Sequence, residues 1–349
     1  MEKSSTVTTS RIQEVDFDNL GFGTYVSDHM LLANYANKKW NNAEILPFSS
    51  LTLAPTALAL HYGQTVFEGL KAFRQKKGKI SIFRMDRHFQ RFNKSLERFC
   101  MPQVSYELFC DGLKKLINTD RAWVPDREGA SLYIRPFMIA TEERFGVKIS
   151  EEYKFIIFTG PVGSYYSKPL RVKVEDKYMR AAKGGTGYAK CGGNYGASFF
   201  PTQKAREEGF DQVLWTDGTD KFNIEESGTM NAMFVIDGKV VTPATSDTIL
   251  DGVTRDSIIT LAKDMGYDVE ARKVSAYELV ESHKSNKLQE AFGVGTAAIA
   301  SPIASIGFMG KDYKLPEYTS ESFCNKVKKL LTEIRLGESP DKYGWNTLV

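Results

Sequence analysis

The chain has 349 residues, enough for two domains, and its 42% hydrophobic and 26% charged residues are those of a globular protein rather than a disordered one. With 46 basic against 43 acidic residues the net charge is only +3, which gives no electrostatic case for binding nucleic acid or an anionic membrane. Four cysteines and four histidines form neither a C-x-x-C pair nor a zinc pattern, so reduced thiols in a cytoplasmic compartment are expected.

The first ten residues, MEKSSTVTTS, are polar and without periodicity, and predict a loose end; with no apolar h-region they argue against a secretory signal. No stretch reaches the ~18 uninterrupted apolar residues of a spanning helix. The basic run Arg74–Lys79 falls where a hairpin turn is expected. Ile80–Arg84 predicts a short strand. Asp86–Phe99 predicts a helix with Phe89, Phe92 and Leu96 on one face, and Tyr106–Ile117 a second amphipathic helix. Ser131–Ala140 and Tyr153–Thr159 read as buried strands. Gly160–Pro169 is rich in Gly, Pro and Ser and marks a crossing between domains.

The second half predicts short strands with tight turns: Gln212–Thr216, then Met233–Ile236, an Asp237-Gly238 turn, and Lys239–Thr242. Helices are expected at Ser198–Glu208, at Val253–Met265, stopped by Gly266, and at Glu321–Ile334. The fold class is therefore α+β with two unlike domains: a smaller α/β N-terminal domain over 1–164, an interdomain loop over 165–176, and a larger β-rich domain with helices over 177–349.

Four segments of the second half carry chemistry. In KGGTGYAKCGGNYGAS, Lys183–Ser198, glycines that let backbone crowd a ligand surround Lys190, with Asn194 and Tyr195 interleaved. A P-loop would need Gly before and Ser or Thr after the lysine; Ala189 and Cys191 stand there instead. Such a lysine can act as a carbonyl-capturing amine. In NIEESGTMN, Asn223–Asn231, the neighbours Glu225 and Glu226 would point to opposite faces of an extended chain, so one can meet solvent and the other a site. In LDGVTRDSIIT, Leu250–Thr260, a glycine turn opens a helix at Val253-Thr254, which suits a phosphate or serves as an ordinary helix start. GVGTAA, Gly293–Ala298, matches the dinucleotide pattern G-x-G-x-x-A, although Pro302 lies where the helix of that motif should follow.

Taken together, AKCGGNYG, EESGTMN, DGVTRD and GTAAIASP, in that order, resemble the fold-type IV pyridoxal-phosphate enzymes related to D-amino acid aminotransferase, and among them the branched-chain aminotransferases. The likeness runs from about Phe22 to Val349 and includes FGTYVSDHML, LHYGQTVFEGLKAF, FRMDRHFQRF and SLYIRP. It implies a cofactor, pyridoxal 5′-phosphate, carried by Lys190, which would also act as general acid and base; a lysine suits this because a buried ammonium readily loses its proton. Glu226 would keep the pyridine nitrogen protonated, and Tyr195 would donate to the phenolic oxygen. Arg91 would clamp the phosphate with Val253, Thr254 and Thr296, and Ser227 would be a further cofactor-binding residue. The resemblance also implies an aromatic substrate wall of Tyr62, Phe67, Tyr133, Tyr165 and Tyr195, with Thr229 and Ala297 near the substrate carboxylate. Arg135 would meet the side-chain carboxylate of glutamate. Phe145 and Val147 match positions that reach into a partner's pocket, which implies a homodimer. The activity implied is reversible transfer of the amino group of leucine, isoleucine or valine to 2-oxoglutarate.

Animal members carry a redox-sensitive C-x-x-C after the G-T-A; Ala298 and Ser301 stand at those positions here, so that switch is expected to be absent. Competing readings are a D-amino-acid aminotransferase or aminodeoxychorismate lyase on the same fold, a nicotinamide-dependent dehydrogenase built on Gly293–Ala298, and a non-catalytic binding protein on an enzyme scaffold. SLYIRP and the aromatic wall speak against the first pair, and the presence of both Lys190 and Glu226 against the last.

Overall fold

The computed structural model describes residues 9–163 and 168–349, in two compact units. One comprises Met1–Tyr165, Ala189–Gly193 and Glu333–Val349; the other comprises Tyr166–Tyr188 and Asn194–Thr332. The division differs from a simple split near residue 170 at two places. The C-terminal strand Asn346–Leu348 returns to the first unit by pairing with Ile80–Phe83, and the segment at Lys190 pairs there with Thr65–Phe67. The expected loop 165–176 contains a strand, Leu170–Val174, whose alternating LRVKV buries Leu170, Val172 and Val174.

In the first unit nine antiparallel strands form one sheet. Its order is Asn346–Leu348, Ile80–Phe83, Leu70–Arg74, Ser131–Ala140, Tyr153–Val162, His29–Ala36, Lys39–Trp40, with Glu44–Pro47 and Thr65–Phe67 paired off this path. The basic run turns at Lys76–Gly78, where Lys77 and Gly78 have φ of 63° and 71°. Ser131–Ala140 is less buried than its composition suggests: alternate residues are buried and half-exposed, as in a strand covered mainly on one face. The helix Met85–Arg98 buries His88, Phe92, Ser95 and Leu96. Its Phe92 packs on Phe109 and Phe155, each 5.5 Å away between ring centroids. The second amphipathic helix begins one turn wider, as a π-helix over Glu107–Asp111 that runs into Gly112–Thr119.

The second unit is a strand ring with flanking helices. The strands Ile224–Ser227, Gln212–Thr216, Leu170–Val174, Ile299–Phe308, Leu288–Gly295 and Met230–Ile236 are neighbours in that order, and the pairing of the first with the last closes the ring. Closure leaves those six strands without a free edge. Asp237 and Gly238, with φ of 52° and 77°, make the expected hairpin turn into Lys239–Thr242. Helices span Phe199–Glu207, Val253–Asp264, Ala276–Lys284 and Phe323–Leu336. Among the described residues no helix is long and apolar enough to cross a membrane.

Candidate active site

In the first unit Lys190 is held by its backbone. Its carbonyl accepts from the Phe67 N–H at 2.9 Å, its own N–H donates to the Ser95 hydroxyl at 2.9 Å, and Cys191 bridges Val66. A Cβ at Gly192 would stand 3.3 Å from the Thr65 side chain, a tight approach. The Lys190 side chain is only half-buried, less than expected, and its Nζ lies 4.7 Å from the centre of the Phe67 ring. The same ring carries the guanidinium of Arg135 at 4.8 Å. Arg135 donates to the Tyr133 hydroxyl at 3.0 Å, and its buried Nε has no hydrogen-bond partner. Tyr133 explains Gly69, since a Cβ at that position would lie 2.0 Å from the phenolic oxygen.

Arg91 lies one helical turn before Ser95, whose hydroxyl donates to the Arg91 carbonyl. Its fork is engaged differently from the expectation. Nε and Nη2 contact the two oxygens of Glu68 at 2.8 and 2.6 Å, so the bidentate partner is a carboxylate of the same unit. Glu68 is fully buried. Burial alone would raise its pKa, but Arg91 and His88, 3.2 Å away, hold the carboxyl well below the usual range. His88 is itself held below the ordinary imidazole value by burial, although Glu68 pulls the other way. Neither Glu68 nor His88 is marked by any local sequence signal beyond its place in the motifs LHYGQTVFEGLKAF and FRMDRHFQRF.

Tyr62, Phe145 and Val147 are at the surface, 45%, 86% and 77% exposed, with the Tyr62 hydroxyl donating to the Phe145 carbonyl at 2.9 Å. Tyr165 lies outside the described residues.

In the second unit three predicted segments meet at one end of the strand ring. The register pairs Glu226 with Asn231 and Asn231 with Val294. That register brings the turn after Ser227, with Thr229, to the same end as the turn holding Thr296 and Ala297. The third segment rests on them: the Leu250 N–H donates to Glu226 at 2.8 Å and the Leu250 carbonyl accepts from Asn231 at 2.9 Å. A Cβ at Gly252 would lie 1.8 Å from the Asn231 side-chain oxygen, so only glycine lets the helix Val253–Asp264 begin there. The N–H groups at its first turn, at Val253 and Thr254, present the positive helix end. Tyr195 sits half-buried in the short helix Gly193–Gly196, where its carbonyl accepts from Ser198; its neighbour Asn194 is tied to Thr186 through two contacts of 2.8 Å.

Two expectations change here. Glu225 and Glu226 are each only 4% exposed, so neither faces solvent. Gly293–Ala298 is the end of one strand and the turn into the antiparallel strand Ile299–Phe308, not a strand-to-helix turn, which removes the dinucleotide reading. Of the four cysteines, Cys110, Cys191 and Cys324 are buried, Cys100 is exposed, and all are free.

Taken unit by unit, the residues have the chemistry of a phosphorylated aldehyde cofactor with a basic ring: the first offers a backbone-held lysine over an aromatic ring, the second a buried carboxylate and a glycine-opened helix start. Comparison with known proteins agrees. The model of class IV amino-transferases matches residues 65–306. A probable branched-chain-amino-acid aminotransferase of Staphylococcus epidermidis is 45% identical over 342 residues, covering 97% of this chain and 95% of that one. Branched-chain-amino-acid aminotransferase 2 of Bacillus subtilis is 43% identical over 347 residues, 98% and 96% of the two chains. The crystal structure of the branched-chain amino acid aminotransferase of Escherichia coli superposes with a TM-score of 0.76 at 26% identity, covering 91% of this chain and 98% of that one.

Proposed function

This chain belongs to the class IV aminotransferase family, and we propose that it moves the amino group of L-leucine, L-isoleucine or L-valine reversibly onto 2-oxoglutarate, giving the branched 2-oxo acid and L-glutamate. It is a transaminase with pyridoxal 5′-phosphate as cofactor, and its substrates are amino and 2-oxo acids.

When bound, the cofactor supplies an electron sink for the bonds at the amino acid's α-carbon. The chain's own groups do the rest. Lys190 attaches the cofactor and then moves a proton at the substrate α-carbon. Glu226 pairs with the ring nitrogen, and Tyr195 donates to the phenolic oxygen. Val253 and Thr254 offer backbone N–H groups, and Thr296 its hydroxyl, to the phosphate, and Ser227 is a further cofactor-binding residue. Arg91 contributes its positive charge to the phosphate. Thr229 and Ala297 stand near the substrate carboxylate. Phe67 and Tyr133, which flank Arg135, wall the side-chain pocket.

The observation that carries this reading is the Phe67 ring, shared by Lys190 Nζ at 4.7 Å and Arg135 at 4.8 Å. An amine for the chemistry and a cation for a carboxylate stand over one apolar floor. Such a floor accepts a branched aliphatic side chain, and the guanidinium accepts the second carboxylate of glutamate. Phe145 and Val147, exposed in a single chain, belong to a homodimer in which they reach the partner's pocket. The cytoplasm is the compartment that suits its free thiols.

The test is to supply purified enzyme with 2-oxoglutarate and either L-leucine or D-alanine, and to follow glutamate. Glutamate from L-leucine alone is expected. Turnover of D-alanine in preference to L-leucine would replace this reading with a D-amino-acid aminotransferase.

A further inference from the structure

Glu225 and Glu226 are adjacent carboxyls, both buried, in the strand Ile224–Ser227 of the second unit. Two such groups cannot both be ionised cheaply, because burial and mutual repulsion each favour a proton. Arg180 is the cation that acts on both. Its Nε stands 3.3 Å from Glu226 Oε2, within ion-pair distance but without hydrogen-bond alignment. Its Nη2 donates to the carbonyls of Gly187, at 3.1 Å, and Thr248. The other oxygen of Glu226 accepts from the Leu250 N–H at 2.8 Å. Both oxygens of Glu226 therefore meet a positive or donating group. Glu225 fares differently: the Thr248 hydroxyl donates to Oε1, while Oε2 is buried with no hydrogen-bond partner.

We propose that Arg180 is a positioning residue for the reaction: it keeps Glu226 ionised and aimed, so that the proton between Glu226 and the cofactor ring stays on the ring nitrogen. This rests on the assignment of Glu226 to that nitrogen. The argument is electrostatic. A carboxylate and a ring nitrogen facing each other compete for one proton, and a guanidinium beside the carboxylate favours negative charge there. Glu225, with one carboxylate oxygen lacking a partner, holds a proton more readily than an ordinary carboxyl. Burial chiefly, with Asp217 and Glu226, pushes its pKa up to about 7 against Thr248 and Arg180. Arginine rather than lysine is required because one rigid fork serves three acceptors. The same fork also fastens the glycine segment ahead of Lys190. At Gly187 a Cβ would come 2.5 Å from the Thr248 carbonyl oxygen, so the two stretches of backbone pack without room for a side chain.

The experiment loads wild type, Arg180→Met, Arg180→Lys, Glu226→Gln and Glu225→Gln with pyridoxal 5′-phosphate carrying heavy nitrogen in the ring. The ring-nitrogen resonance is recorded, and the melting temperature of each apoenzyme is measured alongside. Wild type and Glu225→Gln should show the protonated position. Arg180→Met should move most of the way to the unprotonated position of Glu226→Gln, and Arg180→Lys should lie between. An Arg180→Met protein with the wild-type resonance, while Glu226→Gln is displaced, would leave Arg180 with a structural role and the Glu226 assignment intact. Wild-type resonances in both would overturn the inference and that assignment together. Should Arg180→Met not retain the cofactor, Arg180→Lys decides: an intermediate resonance supports the inference, and a wild-type resonance with a lowered apoenzyme melting temperature overturns it.

Discussion

Arg91 and Glu68 face each other through two contacts of the guanidinium fork, Nε to Oε2 at 2.8 Å and Nη2 to Oε1 at 2.6 Å. The carboxylate has no solvent exposure, and Oε1 also accepts from the Gly69 N–H at 2.7 Å. The pair joins the helix that carries Arg91 and Ser95 to the strand region that carries Phe67. It thereby sets the two surfaces that hold the backbone of Lys190.

Glu68→Gln should lower the stability of the apoenzyme by roughly 3–5 kcal/mol, the range for removing one partner of a buried pair. Denaturant unfolding measures it. The pH dependence has a definite sign: a carboxyl whose folded pKa is depressed contributes fully above its ordinary value of 4.5 and loses that contribution as pH falls below it. The difference between wild type and mutant should therefore shrink only in acid. A difference that shrinks toward alkaline pH would contradict the pairing.

Arg135→Gln should penalise glutamate and 2-oxoglutarate far more than leucine. The guanidinium lies over Phe67 and Tyr133 at 4.8 and 5.2 Å and keeps a buried Nε without a hydrogen-bond partner. A lost buried charge pair costs on the order of 3–5 kcal/mol, whereas leucine makes no such pair. Comparison of kcat/KM for the two amino acids decides; an equal loss on both would assign Arg135 to packing alone.

Glu225→Gln should flatten the apoenzyme's stability curve between about pH 4.5 and pH 7. Glu225 is raised from 4.5 to about 7, chiefly by burial. A raised carboxyl binds its proton more tightly folded than unfolded, so stability falls as pH rises through that window, by about 3 kcal/mol. The glutamine cannot ionise and should show no such decline. A decline of the same size in the mutant would place the titrating group elsewhere.

Phe145→Asp should weaken self-association. Phe145, Val147 and Ile149 expose 86%, 77% and 56% of their surface in one segment, an apolar run that a single chain leaves in water. Sedimentation should show a concentration-dependent monomer in the mutant, with activity lost at the dilutions where the monomer prevails. A mutant that stays dimeric at those dilutions would remove this segment from the interface.

The segments that were legible in the sequence are those whose residue types answer to their immediate surroundings. Gly187, Gly228 and Gly252 sit where a Cβ would strike Thr248, Gln212 or Asn231, and such crowding leaves a glycine in the sequence. The turn at Asp237-Gly238 and the helix stop at Gly266 follow from positive φ in the same way. What stayed hidden depends on partners far along the chain. Glu68 meets Arg91 across 23 residues, and Arg180 meets Glu226 across a longer span, with no local pattern to announce either pair. Closure of the ring by Ile224–Ser227 is equally nonlocal, and the strand Leu170–Val174 was obscured by the Gly- and Pro-rich stretch before it. Periodicity also could not separate a hairpin turn from a dinucleotide loop at Gly293–Ala298, because the difference lies in whether a helix or an antiparallel strand follows.

The central claim is that Lys190 carries the cofactor, and reductive trapping tests it most directly. Purified holoenzyme is treated with borohydride, digested, and the peptides are mapped for the fixed pyridoxyl group. The backbone of Lys190 is held between Phe67 and Ser95, with Nζ over the Phe67 ring, whereas Lys183 is exposed. The label should fall on the peptide containing Lys190, and Lys190→Ala should take up no label and have no transaminase activity while keeping its fold. Label on Lys183, or undiminished labelling of Lys190→Ala, would contradict the assignment.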